Sequence, residues 1–213
     1  TDHLLKVMTL INERFKRLER ISIYAGPTNL KEKTLSELKA LKDLKLDILY
    51  LGIETGNDEL LRRIHKGATS QEIIAGARKA IDAGLRLSTI ILLGLGGEHG
   101  SFTHAKDSAE VVNAIDPHFL ACLTLMLGPY QSLYEEKLMG GGFKLPDKRQ
   151  TLQELRWFVE DLSLSDCRFG TEHASNYLPI GGQLGADKER ILGMIDRALK
   201  DDRLLRPEWA RGL

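Results

Sequence analysis

The stretch "LYLGIETGNDELLRRIHKG", residues 49–67, holds the residues whose types and spacing most readily do chemistry. An apolar run breaks on glycine, exposes Glu54, and is followed twelve residues later by Lys66. A carboxylate after an apolar strand needs a partner or solvent. Glu54 therefore either caps or pairs locally, or accepts hydrogen bonds from the amine or hydroxyls of a bound ligand. Lys66 either answers a helix dipole or offers a cation to that ligand. Together they supply both signs, which suits a zwitterionic amino-acid group.

Other candidates are weaker. "GLGGEHG" (residues 94–100) fails the G-x-G-x-x-G test, because His99 stands where the third glycine should be. It reads as a flexible loop that lets backbone approach a ligand closely. Glu98, His99 and His104 cluster but lack the H-E-x-x-H spacing of a zinc helix. Cys167 and His173 could form a thiol–base pair, although nothing marks the cysteine as activated. "TEHASNYLP" (residues 171–179) is dense in functional side chains. It reads either as a hydrogen-bonded loop or as a substrate-side wall carrying His173 and Asn176.

The elements that must position these residues follow from periodicity. Strands are expected at 20–26, 48–54, 86–94 and 118–128, with a further one starting at Cys167 and running into an irregular loop. Helices are expected at 4–18, 35–44, 57–66, from the capping box Thr69-x-x-Glu72 to Gly84, then at 101–115, 151–162 and 187–200. Gly67 is expected to end the helix that carries Lys66. Residues from Asp201 onward read as frayed. Near-continuous apolar strands alternating with helices imply an α/β fold with a parallel sheet covered on both faces. In such folds ligands bind at the carboxyl ends of the strands. That rule gathers Glu54, the 94–100 loop and Thr124 at one mouth.

Bulk properties narrow the function further. The 213 residues are 42% hydrophobic, with 30 basic and 30 acidic side chains. The balance gives no electrostatic case for nucleic acid or an anionic membrane. No apolar stretch is long enough to span a membrane, and no signal peptide is evident. Two well-separated cysteines, Cys122 and Cys167, suit a reducing cytoplasm. A Schiff-base barrel lyase would want a lysine at a strand end; Lys45 precedes its strand and Lys66 ends a helix.

"YLGIETGNDELLRRIHKG", "STIILLGLGGE" and "NAIDPHFLACLTLMLGPYQSLYEE", in this order and spacing, resemble the radical S-adenosylmethionine (SAM) superfamily. The resemblance is to the branch of oxygen-independent coproporphyrinogen oxidase-like and Elongator-like iron–sulfur oxidoreductases, and covers roughly residues 21–136. It implies a partial (β/α) TIM-like barrel, helices outside, with residues 137–213 as a C-terminal helical and loop extension. It implies two cofactors, SAM and a [4Fe-4S] cluster. By resemblance Glu54 contacts the cofactor's ribose or amino group and Lys66 its carboxylate. Ser88 and Thr89 lie where a ribose contact is placed, and the backbone from Leu95 and Gly96 to Gly97 lies near adenine. The Cys-x₃-Cys-x₂-Cys cluster loop has no counterpart here, and Ile21 would begin the third strand. The expectation is thus an N-terminally truncated barrel whose intact parent holds the cluster outside this chain. The alternative is an inactive half-barrel binding module. An open sheet edge at residues 20–26 would then need cover, from the N-terminal helix or from a second copy in a homo-oligomer.

Overall fold

The computed structural model describes residues 1–138 and 141–212. Residues 139, 140 and 213 lie outside the described residues. The chain runs α1 (Asp2–Arg14), β1 (Ile21–Ala25), α2 (Pro27–Glu32), α3 (Leu35–Asp43), β2 (Leu46–Glu54), α4 (Asp58–Arg63), α5 (Ser70–Asp82), β3 (Arg86–Leu93), α6 (Gly97–Ile115) and β4 (Phe119–Thr124). Three short helical turns follow (Gly128–Tyr130, Gln131–Leu133 and Tyr134–Leu138). Then come α7 (Lys148–Asp161), β5 (Cys167–Gly170), β6 (Gly181–Leu184) and α8 (Lys188–Lys200).

The six strands pair in chain order, β1 to β6. The first five are parallel. The chain is therefore an open, partial barrel of βα units. The sixth strand is a correction to the sequence reading. It returns antiparallel to β5, with Gly170 opposite Gly181 and Cys167 opposite Leu184. Its "GGQL" has no β-branched residue and a double glycine, so propensity did not mark it.

Burial corrects a second expectation. Alternate residues of β3 (Leu87, Thr89, Ile91, Leu93) are buried, and the residues between them are only partly covered. The sheet is sealed on its helix side and open on the other. The sealed side is one core that joins Leu51 and Ile53 of β2 with Ile73 and Ala77 of α5, Ala109 and Val112 of α6, and Phe158 of α7. Phe169 and Leu184 of β5 and β6 share that core, so the last two strands extend the same sheet.

Capping accounts for the helix starts. Thr34 and Thr69 close capping boxes with Glu37 and Glu72, and Asn57 Oδ1 accepts from the Leu60 amide at 3.0 Å. α4 ends earlier than its sequence suggests. The Lys66 amide bonds the Leu61 carbonyl at 2.9 Å and His65 takes φ +54°. That six-residue closure is a Schellman stop, which frees Lys66 from the helix.

At the sheet's open edge, β1 has no further strand beside it among the described residues. Helix α1 covers part of the flank by burying Met8. A groove of about 370 Å³ remains along β1, lined by Leu4, Ile23, Tyr24 and Leu38 among others.

The amino ends of the strands are tied by charge. Asp47 accepts from Arg86, on the neighbouring strand, and from Lys42 Nζ at 3.0 Å. The Arg86 hydrogen bond, helped by Lys42 and opposed by partial burial, holds the Asp47 carboxyl down to about 2. A carboxylate with a lowered folded-state pKa stabilises the protein above its ordinary pKa and loses that contribution as pH falls through the lowered value. Asp47→Asn should therefore cost about 1–2 kcal/mol near neutrality, after solvent screening. The difference from wild type should vanish between pH 4 and pH 2. Denaturant melts across that range test this; a pH-independent difference would show that the pair contributes nothing.

Candidate functional site

The parallel strands direct their carboxyl ends to one side, and β2 and β3 bring the site residues there. β2 is bulged between Gly52 and Glu54, and Glu54 takes φ +67°. This left-handed conformation is uncommon for a residue with a Cβ. It turns the Glu54 side chain back along its own strand. A Cβ on Gly52 would overlap Glu54 Oε1 and lie 3.4 Å from Lys66 Nζ. Gly52 is thus a cradle for the two charged groups. Lys66 Nζ donates to Glu54 Oε1 at 3.0 Å, with the two side chains only 18% and 26% exposed. The structure thus places side by side the two residues that the sequence singles out.

The turn after Glu54 is pressed on α6. Thr55 is fully buried. The Gly56 amide donates to Ser108 Oγ at 3.0 Å. Asn57 Nδ2 donates to Asp107 Oδ2 at 2.6 Å. A Cβ on Gly56 would collide with the Asp107 carbonyl and lie 2.8 Å from Ser108 Cα.

A buried bridge joins the tips of β2 and β3. His104 on α6 is 1% exposed and Glu154 on α7 is fully buried. His104 Nδ1 lies 3.0 Å from Glu154 Oε1, which also accepts from the Gly94 amide at 2.8 Å. His104 Nε2 faces the Glu54 carbonyl at 3.4 Å. Glu154 Oε2 has no hydrogen-bond partner among the described residues. The sequence reading considered His104 only as a metal candidate and did not single out Glu154. One signal was available: Glu154 falls on the apolar stripe of α7 between Leu152, Leu155 and Phe158, where carboxylates seldom sit unpaired.

The remaining candidates separate. Ser88 is half-buried on the open face, in register with Tyr50 and Phe119. Thr89 faces the core, fully buried, and its hydroxyl donates to the Phe119 carbonyl at 3.3 Å. Leu95 is buried in a small cluster with Leu60 and Tyr134. Gly96 caps α6, and Gly97 opens it with φ +68°. The flexible loop expected over residues 94–100 is therefore a turn and the first turn of a helix. Glycine's poor helix propensity hid the start, while the Gly94 amide and the Glu98 amide, the latter donating to the Lys144 carbonyl at 2.8 Å, fix it.

At the far side of the mouth, His173 is exposed and its Nδ1 pairs with Ser175 Oγ at 2.9 Å. Asn176 is buried. Its amide donates to the Cys122 and Thr171 carbonyls at 2.7 and 2.9 Å, and its oxygen accepts from Thr124 Oγ1 at 2.9 Å. All its polar groups are engaged in holding backbone and β4. The tail expected to fray is anchored on this loop instead. Arg206 donates to the carbonyls of His173, Ala174 and Asn176 at 3.1–3.2 Å, and Arg211 lies 3.7 Å over the Tyr177 ring.

The two cysteines do not fit an iron–sulfur cluster. Both are fully buried in the core, and burial pushes their thiols up, Cys167 to about 12. No group of three or more His, Cys, Asp or Glu arranged to hold a metal occurs among the described residues. No described helix is long and apolar enough to cross a membrane. The Glu54–Lys66 pair over Gly52 does fit a zwitterionic group, because it offers an acceptor and a donor side by side at a strand mouth.

The close packing of the turn makes a measurable claim. Gly56→Ala forces a Cβ into α6 backbone and should cost about 1–3 kcal/mol, a fall in Tm of roughly 2–4 °C per kcal/mol. Gly100→Ala, in the same helix with open space around its Cβ position, should be neutral or stabilising. Equal melting of the two variants would mean that the turn is not pressed on α6.

Comparison with known proteins agrees with this geometry. Residues 1–104 match the model of the radical SAM superfamily. The chain is 23% identical over 150 residues to the heme chaperone HemW of Bacillus subtilis (strain 168), a match that takes in 70% of this chain and 39% of that protein. Among solved structures it is similar to the radical SAM enzyme coproporphyrinogen III oxidase (HemN) from Escherichia coli, with TM-score 0.56, 22% identity, and 73% of this chain against 35% of that one. It is also similar to the Elp3 of the archaeon Methanocaldococcus infernus, with TM-score 0.55, 16% identity, and coverage of 87% and 42%. The chain thus spans about two fifths of the length of these relatives. The solved structures speak for the fold, and the superfamily match speaks for the sequence that builds it: the first 104 residues of this chain, just under half of it, belong with the radical SAM superfamily.

Proposed function

We propose that this chain carries part of the SAM pocket of a radical SAM iron–sulfur oxidoreductase, and that the cluster's thiolates come from outside this sequence. The observation that carries the reading is the Glu54–Lys66 pair, 3.0 Å apart and partly shielded at the mouth of the sheet. An amino-acid group inserted there would exchange one ion pair for two. Its ammonium would meet Glu54 and its carboxylate Lys66, with Gly52 leaving the room that a side chain would fill. Ser88, on the same open face, and the Leu95–Gly97 backbone would serve the ribose and adenine. Thr89, turned into the core, would serve only by holding β3 to β4. Bound SAM would supply a 5′-deoxyadenosyl radical once reduced by a cluster. On the substrate side, the exposed His173 would meet a substrate, and Asn176 holds the loop that carries it. The free, buried cysteines are consistent with a reducing cytoplasm.

Isothermal titration of SAM into the chain tests this. Glu54→Ala and Lys66→Ala should each cost about 1.5–3 kcal/mol, a ten- to hundredfold weaker Kd. Gly52→Ala should weaken binding by filling the cradle. Affinities within twofold of wild type for both charge variants would remove the assignment, leaving a half-barrel binding module.

The β1 edge supports a second, separate proposal, pairing of two copies along Ile21–Ala25, where Tyr24 is 81% exposed and the outer hydrogen-bonding groups face no strand among the described residues. Light scattering at rising concentration should then show a dimer; a monomer throughout would exclude it.

A further inference from the structure

We propose that the buried His104–Glu154 pair is the positioning element of the site. It locks the left-handed backbone of Glu54 and the Gly94 tip of β3 into one unit, so that the Glu54 carboxylate meets its ligand in a fixed place. The part of this that concerns a cofactor rests on the SAM reading above. The mechanical part rests on the geometry alone.

Three observations carry the proposal. The first is what the pair touches. Besides each other, its hydrogen-bonding partners are two main-chain groups, the Glu54 carbonyl and the Gly94 amide. These sit at the carboxyl ends of two adjacent strands, the end where such sheets bind ligands. The second is the proton inventory. A carbonyl only accepts, so the His104–Glu54 contact needs a proton on Nε2. The contact between Nδ1 and Oε1 needs one more, held by either partner. The pair can make both contacts only as an imidazolium–carboxylate or as a neutral imidazole with a carboxylic acid. In either form it is neutral overall and makes the same links.

The third observation is cost. Glu154 Oε2 is buried without a partner among the described residues, and an imidazole and a carboxyl are withdrawn from water with it. Replacing such a buried pair by apolar side chains often leaves a fold as stable or more so. Stability is therefore a poor account of this pair. Its backbone contacts point to the site instead. Glu54 is the residue in need: its φ of +67° places it outside the ordinary strand conformation, and conformations of this kind persist only where their surroundings over-determine them. The Gly56–Ser108 and Asn57–Asp107 bonds hold the turn after Glu54, and His104 holds the Glu54 carbonyl.

The test uses the 213-residue chain, SAM as the probe, and amide hydrogen exchange followed by NMR. The double variant His104→Leu/Glu154→Leu should stay folded with a Tm no lower than that of Leu152→Ala, bind SAM at least tenfold more weakly, and exchange the amides of Thr55, Gly56 and Gly94 at least tenfold faster. Leu152→Ala, a core truncation on the same helix, is the control: it should lower Tm yet leave SAM affinity within twofold. Affinity within twofold of wild type in the double variant overturns the proposal, as does an equal loss in Leu152→Ala. If the double variant does not fold, Glu154→Gln decides by the same two readouts. It keeps the size of the side chain and the Gly94 acceptor but cannot share a proton with His104, so affinity should fall and exchange at Thr55 should rise; no change in either overturns the proposal. If wild type itself does not bind SAM, the cofactor reading fails separately. The exchange rates then judge the positioning role, and unchanged rates at Thr55 and Gly94 reject it.

Discussion

The site depends on a single backbone conformation at the end of β2. Glu54 ends β2 in the left-handed region, where its carbonyl faces His104 on α6 and its side chain turns back along the strand. Both consequences must be met nearby. Gly52 meets the second by presenting no Cβ where the Glu54 carboxylate and the Lys66 ammonium come together. His104 meets the first from α6. Lys66 reaches the pair because α4 stops early, with His65 taking the left-handed stop and the chain turning back toward the strand. A longer helix would have kept Lys66 along the helix axis, away from Glu54.

The two ends of the sheet have different chemistry. At the amino ends, Asp47, Lys42 and Arg86 form a partly exposed charge cluster that ties β2 to β3 and to the helix before it. At the carboxyl ends, the Glu54–Lys66 pair is partly shielded and the His104–Glu154 pair is fully buried and tied to main chain. The first arrangement is insensitive to small displacements, because solvent completes it. The second is not, because a buried group displaced from its partner finds no water to replace it. This is the division expected of a parallel sheet that places stability at one end and recognition at the other.

The C-terminal part of the chain packs on the tip of β4. Asn176 and Ser175 hold the tip of β4, and the tail holds Asn176's loop through Arg206 and Arg211. Guanidinium groups do this well, since one planar fork can serve several carbonyls at once. The superfamily match and the partial barrel set the frame for the mouth of the sheet, and the core position of both cysteines sets a limit on it: nothing in this chain presents a thiolate there.

Much of the frame was legible in the sequence. The strands at 20–26, 48–54 and 86–94 follow from apolar runs bounded by glycine. The start of α5 follows from a Thr-x-x-Glu box, whose reciprocal hydrogen bonds are local, and α3 follows from its apolar periodicity. Glu54 and Lys66 stood out because a carboxylate and a cation beside apolar runs are chemically conspicuous. What the sequence could not carry was whatever depends on a partner far along the chain. The antiparallel β6 is a strand because β5 pairs with it. The first turn of α6 is helical although glycine-rich because Glu154 and the Lys144 carbonyl bind its amides and those before it. The tail is ordered because Arg206 and Arg211 find carbonyls some thirty residues away. His104 and Glu154 are fifty residues apart, and nothing local to either announces the other. The sequence by itself determined the alternation of strand and helix, since periodicity and capping act over a few residues. Tertiary structure alone decided which polar groups meet in the dry interior, since the cost of leaving them unpaired there depends on every element packed around them.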